Sequence, residues 1–469
     1  MNELTINLLP KSEMPLYEQI YRYIKKDIQN GRMKSGEKLP STRALCKHLE
    51  VSRSTVELAY EQLLSEGYIE TEPCRGYFVA DVGALYRLET PVSKPNKSQK
   101  NQNESFRYDF TPNGVDLQYF PYRTWRKLSK ESLQDDRAEM FRLGNPQGEP
   151  GVRGAIRNYL YQARGVNCVP EQVIIGAGND SLLMLLNSVI GNQHKVAFEN
   201  PTYKRDYRLF QNLSYEVCTV DMDSQGMSVK KLEESGADIA FVMPSHQYPL
   251  GIVMPLKRRL ELLKWAGETE GRFIIEDDYD SEFRYKGKPI PALQGYDSRE
   301  RVIYIGTFSK SIAPGIRISY MVLPRPLLEK YYQRSGFLHS TVSRMDQQIL
   351  QRFIEEGYYE RHLNKMRALY KGRHDTLLSA LRQMKIGFHI MGEHAGVHLL
   401  LEFPEEYSEQ ELIARAASAG VKVYGLSDYT VETNAGQKPT ILLGYANLSE
   451  EEIKAAVLLL DAAWSPQKG

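Results

Sequence analysis

Cysteine is scarce in this chain, with 4 among 469 residues, at Cys46, Cys74, Cys168 and Cys218. They are scattered without metal-ligand spacing, so we expect reduced thiols, a cytoplasmic setting and no metal site. The 9 histidines are dispersed as well. No run approaches the ~20 apolar residues that a membrane span requires. Asn2 and Glu3 do not begin the charged-then-apolar pattern of an export signal. An excess of either charge is also lacking, because 60 basic and 59 acidic side chains leave a formal charge of +1. No internal repeat is evident. What remains is the composition of an ordinary globular chain, 42% hydrophobic, long enough for about three units at ~150 residues each.

Against that plain background, polar motifs stand at the ends of short apolar runs. Gly306-Thr307-Phe308-Ser309-Lys310-Ser311-Ile312-Ala313-Pro314-Gly315-Ile316-Arg317 sets a lysine behind two hydroxyl residues and ahead of an arginine. A lysine amine forms a Schiff base in a polar, partly desolvated pocket that also holds the aldehyde's other end. An arginine fork supplies charge-assisted donors to a phosphate dianion. Pyridoxal 5'-phosphate needs both together. Upstream, Phe273-Ile274-Ile275 reads as a buried strand running into Glu276-Asp277-Asp278-Tyr279-Asp280. Carboxylates at the carboxyl end of a parallel strand sit where such sheets bind ligands. One Asp there pairs with a protonated pyridine nitrogen, and Tyr279 is placed to donate to the ring's phenolic oxygen.

Val173-Ile174-Ile175, then Gly176-Ala177-Gly178-Asn179-Asp180, then Ser181 to Leu186 reads as strand, glycine turn and helix. The free N–H groups of such a helix start suit a phosphate. Val196-Ala197-Phe198 leads to Tyr203, able to stack on a pyridine ring, and Arg205, able to meet an effector carboxylate. Either residue also suits an ordinary surface position. His246 lies in a loop of the same region and reads as an orienting or structural group rather than a base.

Over about residues 105 to 465 these pieces resemble the fold-type I pyridoxal-phosphate enzymes, the aspartate aminotransferase superfamily. The specific signals are Gly144-Asn145-Pro146-Gln147-Gly148-Glu149-Pro150-Gly151-Val152-Arg153, Pro244-Ser245-His246-Gln247-Tyr248-Pro249-Leu250-Gly251, the acidic segment Glu276 to Phe283, and Ser309-Lys310. The resemblance implies that Lys310 is the Schiff-base lysine, Asp277 the partner of the pyridine nitrogen, Tyr279 the contact to the phenolic oxygen and Tyr203 the stacking ring. It implies that backbone at Gly178 and Asn179, with Thr307, Ser309 and Arg317, holds the phosphate. Two positions depart from that pattern. Leu442 stands where aminotransferases of this fold carry the arginine that clamps a substrate carboxylate, which puts efficient transamination of ordinary amino acids in doubt. Leu143 stands where a tyrosine often helps hold phosphate in the partner subunit.

The front of the chain is organised differently. Leu16, Ile20, Tyr23, Ile24 and Ile28 form a helical stripe closed by Gly31. Ser41 is placed to cap a helix over 42–49, and Ser52 one over 53–66. Tyr68 to Thr71 and Gly76 to Val79 read as a hairpin. The third helix presents Ser52, Arg53, Ser54 and Thr55 at its start, which suits a major groove. Charges balance over the first eighty positions, so pattern rather than electrostatics identifies this unit. Leu39-Pro40-Ser41-Thr42-Arg43, Val51 to Val56, Leu63 to Ile69 and Arg75 to Val79 closely resemble the GntR winged-helix domain. By that resemblance Arg43 and Arg53 contact DNA, with Ser52, Ser54, Thr55 and the wing at Gly76 in support.

A GntR head joined to an aminotransferase-like body resembles the MocR/GabR-like transcription regulators. The fold class expected is α/β: a winged helix-turn-helix over 1–80, a polar flexible linker over 81–107, and a fold-type I body over 108–469. The body divides into a large doubly wound lobe and a smaller α/β lobe from about 345. One long helix is expected between 343 and 384, with small-lobe strands over 396–403 and 440–446 and helices over 409–419 and 450–463. The resemblance implies a homodimer acting on double-stranded operator DNA. Its effector would be an amine, an amino acid or a B6 vitamer, sensed through aldimine chemistry at Lys310. A working aminotransferase with an accessory DNA-binding head, and a regulator that binds its ligand without cofactor, are the alternatives.

Overall fold

A computed structural model describes residues 6–9, 14–81, 106–133, 138–285, 290–432 and 437–465. The chain separates into two units, Met1–Asn103 and Glu104–Gly469. Most of the expected linker, residues 82–105, lies outside the described residues.

In the first unit, helix Leu16–Gln29 buries Ile20, Ile24 and Ile28, one apolar face repeating every four residues. Helix Thr42–Leu49 begins at Ser41, whose Oγ accepts the Ala44 N–H at 3.2 Å. Helix Arg53–Ser65 begins at Ser52, whose Oγ accepts the Thr55 N–H at 3.2 Å. Both caps satisfy a donor that the first helical turn leaves unpaired. Between the helices Glu50 turns the chain in the left-handed region, with φ 53°. Strands Ile69–Glu72 and Gly76–Val79 then pair antiparallel, Ile69 opposite Val79. Ile20, Ile24, Val56, Tyr60, Leu63 and Ile69 meet in one core. The unit is a winged helix-turn-helix.

The second unit is built on an eight-stranded mixed sheet. From edge to edge it runs Val173–Gly176, Ser319–Val322, Val302–Thr307, Phe273–Asp278, Ile239–Val242, Lys195–Asn200, Glu216–Asp223 and Gly226–Met227. The five neighbours from Val302–Thr307 to Glu216–Asp223 are parallel. Ser319–Val322 is antiparallel to both of its neighbours. The central strands are buried along their length, as expected of a sheet covered by helices on both faces.

The smaller lobe carries a four-stranded antiparallel sheet in the order His389–Met391, His398–Glu402, Thr440–Gly444 and Tyr424–Gly425. Helices Glu409–Ser418 and Glu450–Trp464 cover it. The start of the body joins this lobe: Tyr108–Asp109 pairs in parallel with Val421–Lys422, and Tyr108 and Phe110 enter its core. The long helix expected between 343 and 384 is two helices, Arg344–Glu355 and Tyr358–Leu381. Gly357 separates them with φ 72°, a left-handed conformation that a glycine adopts without strain. The first of the pair places Ile349, Leu350 and Phe353 in the large-lobe core, whereas Met366, Tyr370 and Leu377 of the second lie in the small-lobe core. Among the described residues no helix is long and apolar enough to cross a membrane.

Candidate functional site

Five parallel-type strand ends converge on one cleft, the setting usual for small-molecule sites. Asn179 follows the strand ending at Gly176, Tyr203 the one ending at Asn200, and Tyr248 the one ending at Val242. Asp277 lies within the last turn of its strand, and Lys310 follows the strand ending at Thr307. The cleft thus occupies the carboxyl edge of the sheet, where the strand connections diverge and backbone groups face outward. Of the cofactor and effector candidates, Asn179, Tyr203, Arg205, Asp277, Tyr279, Thr307, Ser309, Lys310 and Arg317 line it together.

Lys310 is half-buried. Its Nζ donates to Asn113 Oδ1 at 3.0 Å and to the Pro112 carbonyl at 3.5 Å. Burial pushes its amine down to about 8, with Asp280 opposing. An amine so lowered is deprotonated in a useful fraction near neutral pH and is therefore a nucleophile.

At one end of the cleft, helix Asn179–Ile190 starts at Gly178, whose φ of 91° favours glycine. A Cβ at Gly178 would fall within the Arg317 guanidinium. Arg317 Nη2 donates to the Ala177 carbonyl at 3.2 Å and lies 3.5 Å from Asp180 Oδ2. Thr307 Oγ1 accepts the Ser309 N–H at 3.1 Å and bonds Ser319 Oγ at 2.8 Å. The helix start, the guanidinium and the hydroxyls together form a donor-rich cradle suited to an anion.

An acidic wall adjoins this cradle. Asp277 is buried and accepts Asn179 Nδ2–H at 3.3 Å. Burial, then Asp206 and the neighbouring Asp278 and Asp280, hold its carboxyl well above the usual range. Asp206 is itself pushed up to about 7 by burial and by Asp180. A cation placed against Asp277 would relieve that crowding. Tyr203 and Tyr248 meet edge to face at 5.8 Å, and Tyr248 meets Tyr279 in the same way at 5.7 Å. Arg205 faces the cleft paired with Asp180 at 2.6 Å.

The two departures noted in the sequence have clear surroundings. Leu442 is fully buried in an apolar cluster with Leu400 and Leu426, against which Tyr429 packs. Leu143 is 77% exposed. Sequence reasoning did not single out Asn113, Asp206 or Tyr248. Asn113 reaches Lys310 from 197 positions away in the chain, which no local pattern encodes. Tyr248 stood inside the quoted Pro244-to-Gly251 motif, and an aromatic at a strand end was the available signal.

In the winged-helix unit, Arg43, Ser52, Arg53, Ser54 and Gly76 are exposed and Thr55 is half-buried. Ser52 Oγ lies 2.9 Å from Ser54 Oγ and 2.6 Å from Thr55 Oγ1, so the helix start is a compact hydroxyl cluster. Arg53 pairs with Glu57 one turn on, at 2.7 Å, a solvent-exposed pair of small energetic weight. Gly76 has φ 109° at the start of the wing's second strand.

Comparison with known proteins matches both units. The family described as aminotransferase class I and II covers residues 115–459, and bacterial regulatory proteins of the gntR family cover residues 16–79. The chain is 42% identical over 455 residues to YdeL of Bacillus subtilis (strain 168), an uncharacterized HTH-type transcriptional regulator. That match spans 96% of this chain and 97% of the relative. It is 30% identical over 468 residues to the probable rhizopine catabolism regulatory protein MocR of Rhizobium meliloti, spanning 97% and 94% of the two chains. Among solved structures, the multiple substrate aminotransferase of Thermococcus profundus superposes with a TM-score of 0.68 at 27% identity, covering 77% of this chain and 92% of that one.

Proposed function

The chain belongs to the aminotransferase class I and II family, carries a gntR-family head and is a transcriptional regulator of the MocR type, and on that footing we propose that it binds pyridoxal 5'-phosphate and uses it to sense a small amine. The observation that carries this reading is the meeting, in one cleft, of a lowered lysine amine, an anion cradle and a crowded buried carboxylate. These three features fit the cofactor's aldehyde, phosphate and ring nitrogen respectively.

When bound, the cofactor supplies an aldehyde that captures primary amines and a ring that withdraws electrons. The chain's own residues do the rest. Lys310 Nζ, its amine lowered by burial, would hold the cofactor at its aldehyde. Gly178 and Asn179 at the helix start, with Thr307, Ser309 and Arg317, bind the phosphate. Asp277 would hold a proton at the ring nitrogen, Tyr203 would stack on the ring, and Tyr279 would donate to its phenolic oxygen. Arg205 meets an anionic group of the effector when it exchanges Asp180 for it.

The effector is an amine, an amino acid or a B6 vitamer that competes with Lys310 for the same carbon. Lys310 not engaged by the cofactor would keep its bonds to Asn113 and Pro112, which would tie the state of the cleft to a segment at the start of the body. The buried leucine cluster around Leu442 favours sensing over turnover, because it offers no clamp for a substrate carboxylate. Operator DNA is the second partner, met by Arg43, Arg53 and the hydroxyl cluster at Ser52, with the wing at Gly76. We place the protein in the cytoplasm as a homodimer. Phe141, Leu143 and Phe337, at 83%, 77% and 75% exposure, are large apolar side chains of the kind a second copy covers.

Borohydride reduction of the cofactor-loaded protein, followed by peptide mapping, tests the attachment. The tag is expected on Lys310, and Lys310→Ala is expected to lose both tag and visible band. A tag on any other lysine overturns the assignment.

A further inference from the structure

His246 takes no part in the scheme above, yet it is 3% exposed and touches the cleft's Tyr279. Its Nδ1 lies 2.9 Å from Asp280 Oδ2, 3.1 Å from Asp280 Oδ1 and 2.9 Å from Tyr279 Oη. A carboxylate only accepts, so Nδ1 carries a proton and donates it. The Tyr279 oxygen then shares that N–H as a second acceptor. The phenol's own proton must point elsewhere, to Asp280 or into the cleft. Asp280 also accepts from the phenol, and since a carboxylate takes several bonds, the His246 N–H weakens Asp280 as a competitor without closing it, which favours an acceptor standing in the cleft.

The ring is held tightly in that orientation. A Cβ at Gly396 would fall inside the imidazole, and one at Gly251 would come within 3.3 Å of Nε2. Both glycines have positive φ, 78° and 71°. His398 closes the far side at a centroid distance of 5.5 Å, its own Nε2–H committed to the Pro249 carbonyl at 2.8 Å. Burial, then His246 and Lys310, hold His398 down to about 3, so it faces His246 as a neutral ring.

We propose that His246 is a positioning residue which, through its Nδ1–H, directs the Tyr279 hydroxyl proton toward the cofactor's phenolic oxygen. The inference rests on the cofactor reading above and adds the residue that sets the strength of one of its contacts. The ionisable groups facing this pair are Asp277 and Asp280 from the strand end, Tyr248 from the 244–251 loop, Lys310 beyond the neighbouring strand, and His398 from the small lobe. Behind it Arg164 is already bonded to Asp278 at 2.9 Å, and Arg284 shares the small cavity there.

The sign of the effect follows from charge. A strong Tyr279 donor draws negative charge from the phenolic oxygen, which then holds the neighbouring imine proton less firmly. Losing His246 weakens that donor and raises the imine's proton affinity.

The experiment is a pH titration of the visible band in protein loaded with pyridoxal 5'-phosphate. His246→Leu removes the donor, and His246→Gln, a milder removal, shifts the amide away from the Nδ1 position. His246→Asn keeps an N–H near it. The first two are expected to raise the imine's proton affinity by about three- to tenfold, the weight of one hydrogen bond. His246→Asn is expected to stay near wild type. In a Tyr279→Phe background the shift should vanish, which a merely structural role would not produce. An unchanged band titration in His246→Gln, or an equal shift in the Tyr279→Phe background, overturns the proposal. Wild-type protein that develops no visible band with the cofactor overturns the cofactor reading itself, and this inference with it.

Discussion

At Lys310 the chemistry and the physics meet in one amine. Burial disfavours the ammonium, and the single carboxylate acting against that effect, Asp280, restores only part of it. The amine is left at about 8, and only its neutral form attacks an aldehyde. The rate of cofactor attachment is therefore expected to rise about tenfold per pH unit below pH 8 and to level off above it. Stopped-flow mixing of cofactor-free protein with pyridoxal 5'-phosphate, from pH 6 to 9, measures this directly. A flat profile across that range would mean that Lys310 is not the attacking group or is not desolvated. The lysine, Asp277 and Tyr279 were legible in the sequence because each follows an apolar run within a few residues. Asn113, Asp206 and Asp280's grip on His246 were not, since those contacts join segments distant in the chain or depend on ring orientation.

Among the elements, the start of helix Arg53–Ser65 carries the clearest expectation. Ser52 caps it, and Arg53, Ser54 and Thr55 follow in its first turn. To reach a base edge, Arg53 would give up only an exposed pair with Glu57. Arg53→Ala is expected to weaken operator binding by about 1–3 kcal/mol and to relax base preference at one position. It is expected to leave the cofactor's absorption unchanged. Fluorescence anisotropy with an operator first mapped by footprinting, and with single-base variants of it, checks both points, and unaltered affinity would show that this helix does not read DNA. Secondary elements of this unit were legible because caps and turn residues are local signals. The break at Gly357 was less so. A continuous apolar pattern runs on either side of it, and one glycine in a helical pattern is tolerated unless packing calls for the left-handed conformation. Here the second helix starts in the same large-lobe core, through Tyr359 and Leu363, and runs on into the small lobe, through Met366, Tyr370 and Leu377, and the glycine sets its new direction.

For the whole molecule, the central claim is that the cleft and the DNA-binding head share one equilibrium. Neither unit's fold requires this. The small lobe's dependence on the start of the body, through Tyr108 and Phe110, was invisible to local patterning because a two-residue parallel pair has no sequence signature. That dependence matters here, since Lys310 is bonded to Pro112 and Asn113 a few residues further on. On the proposed reading, an amine that removed or restored those bonds would act on the segment through which the body begins. An effector shifts such an equilibrium only by binding one state better than the other, and the coupling is then reciprocal. The decisive measurement is a titration of cofactor-loaded protein with pyridoxamine, alanine and putrescine, each with and without saturating operator. The visible band and operator affinity are followed on the same sample. The account predicts that at least one amine converts the band and changes operator affinity by about 5- to 150-fold, with the amine's own midpoint moving by the same factor when DNA is bound. An amine that converts the band completely while operator affinity and amine midpoint both stay fixed would contradict it.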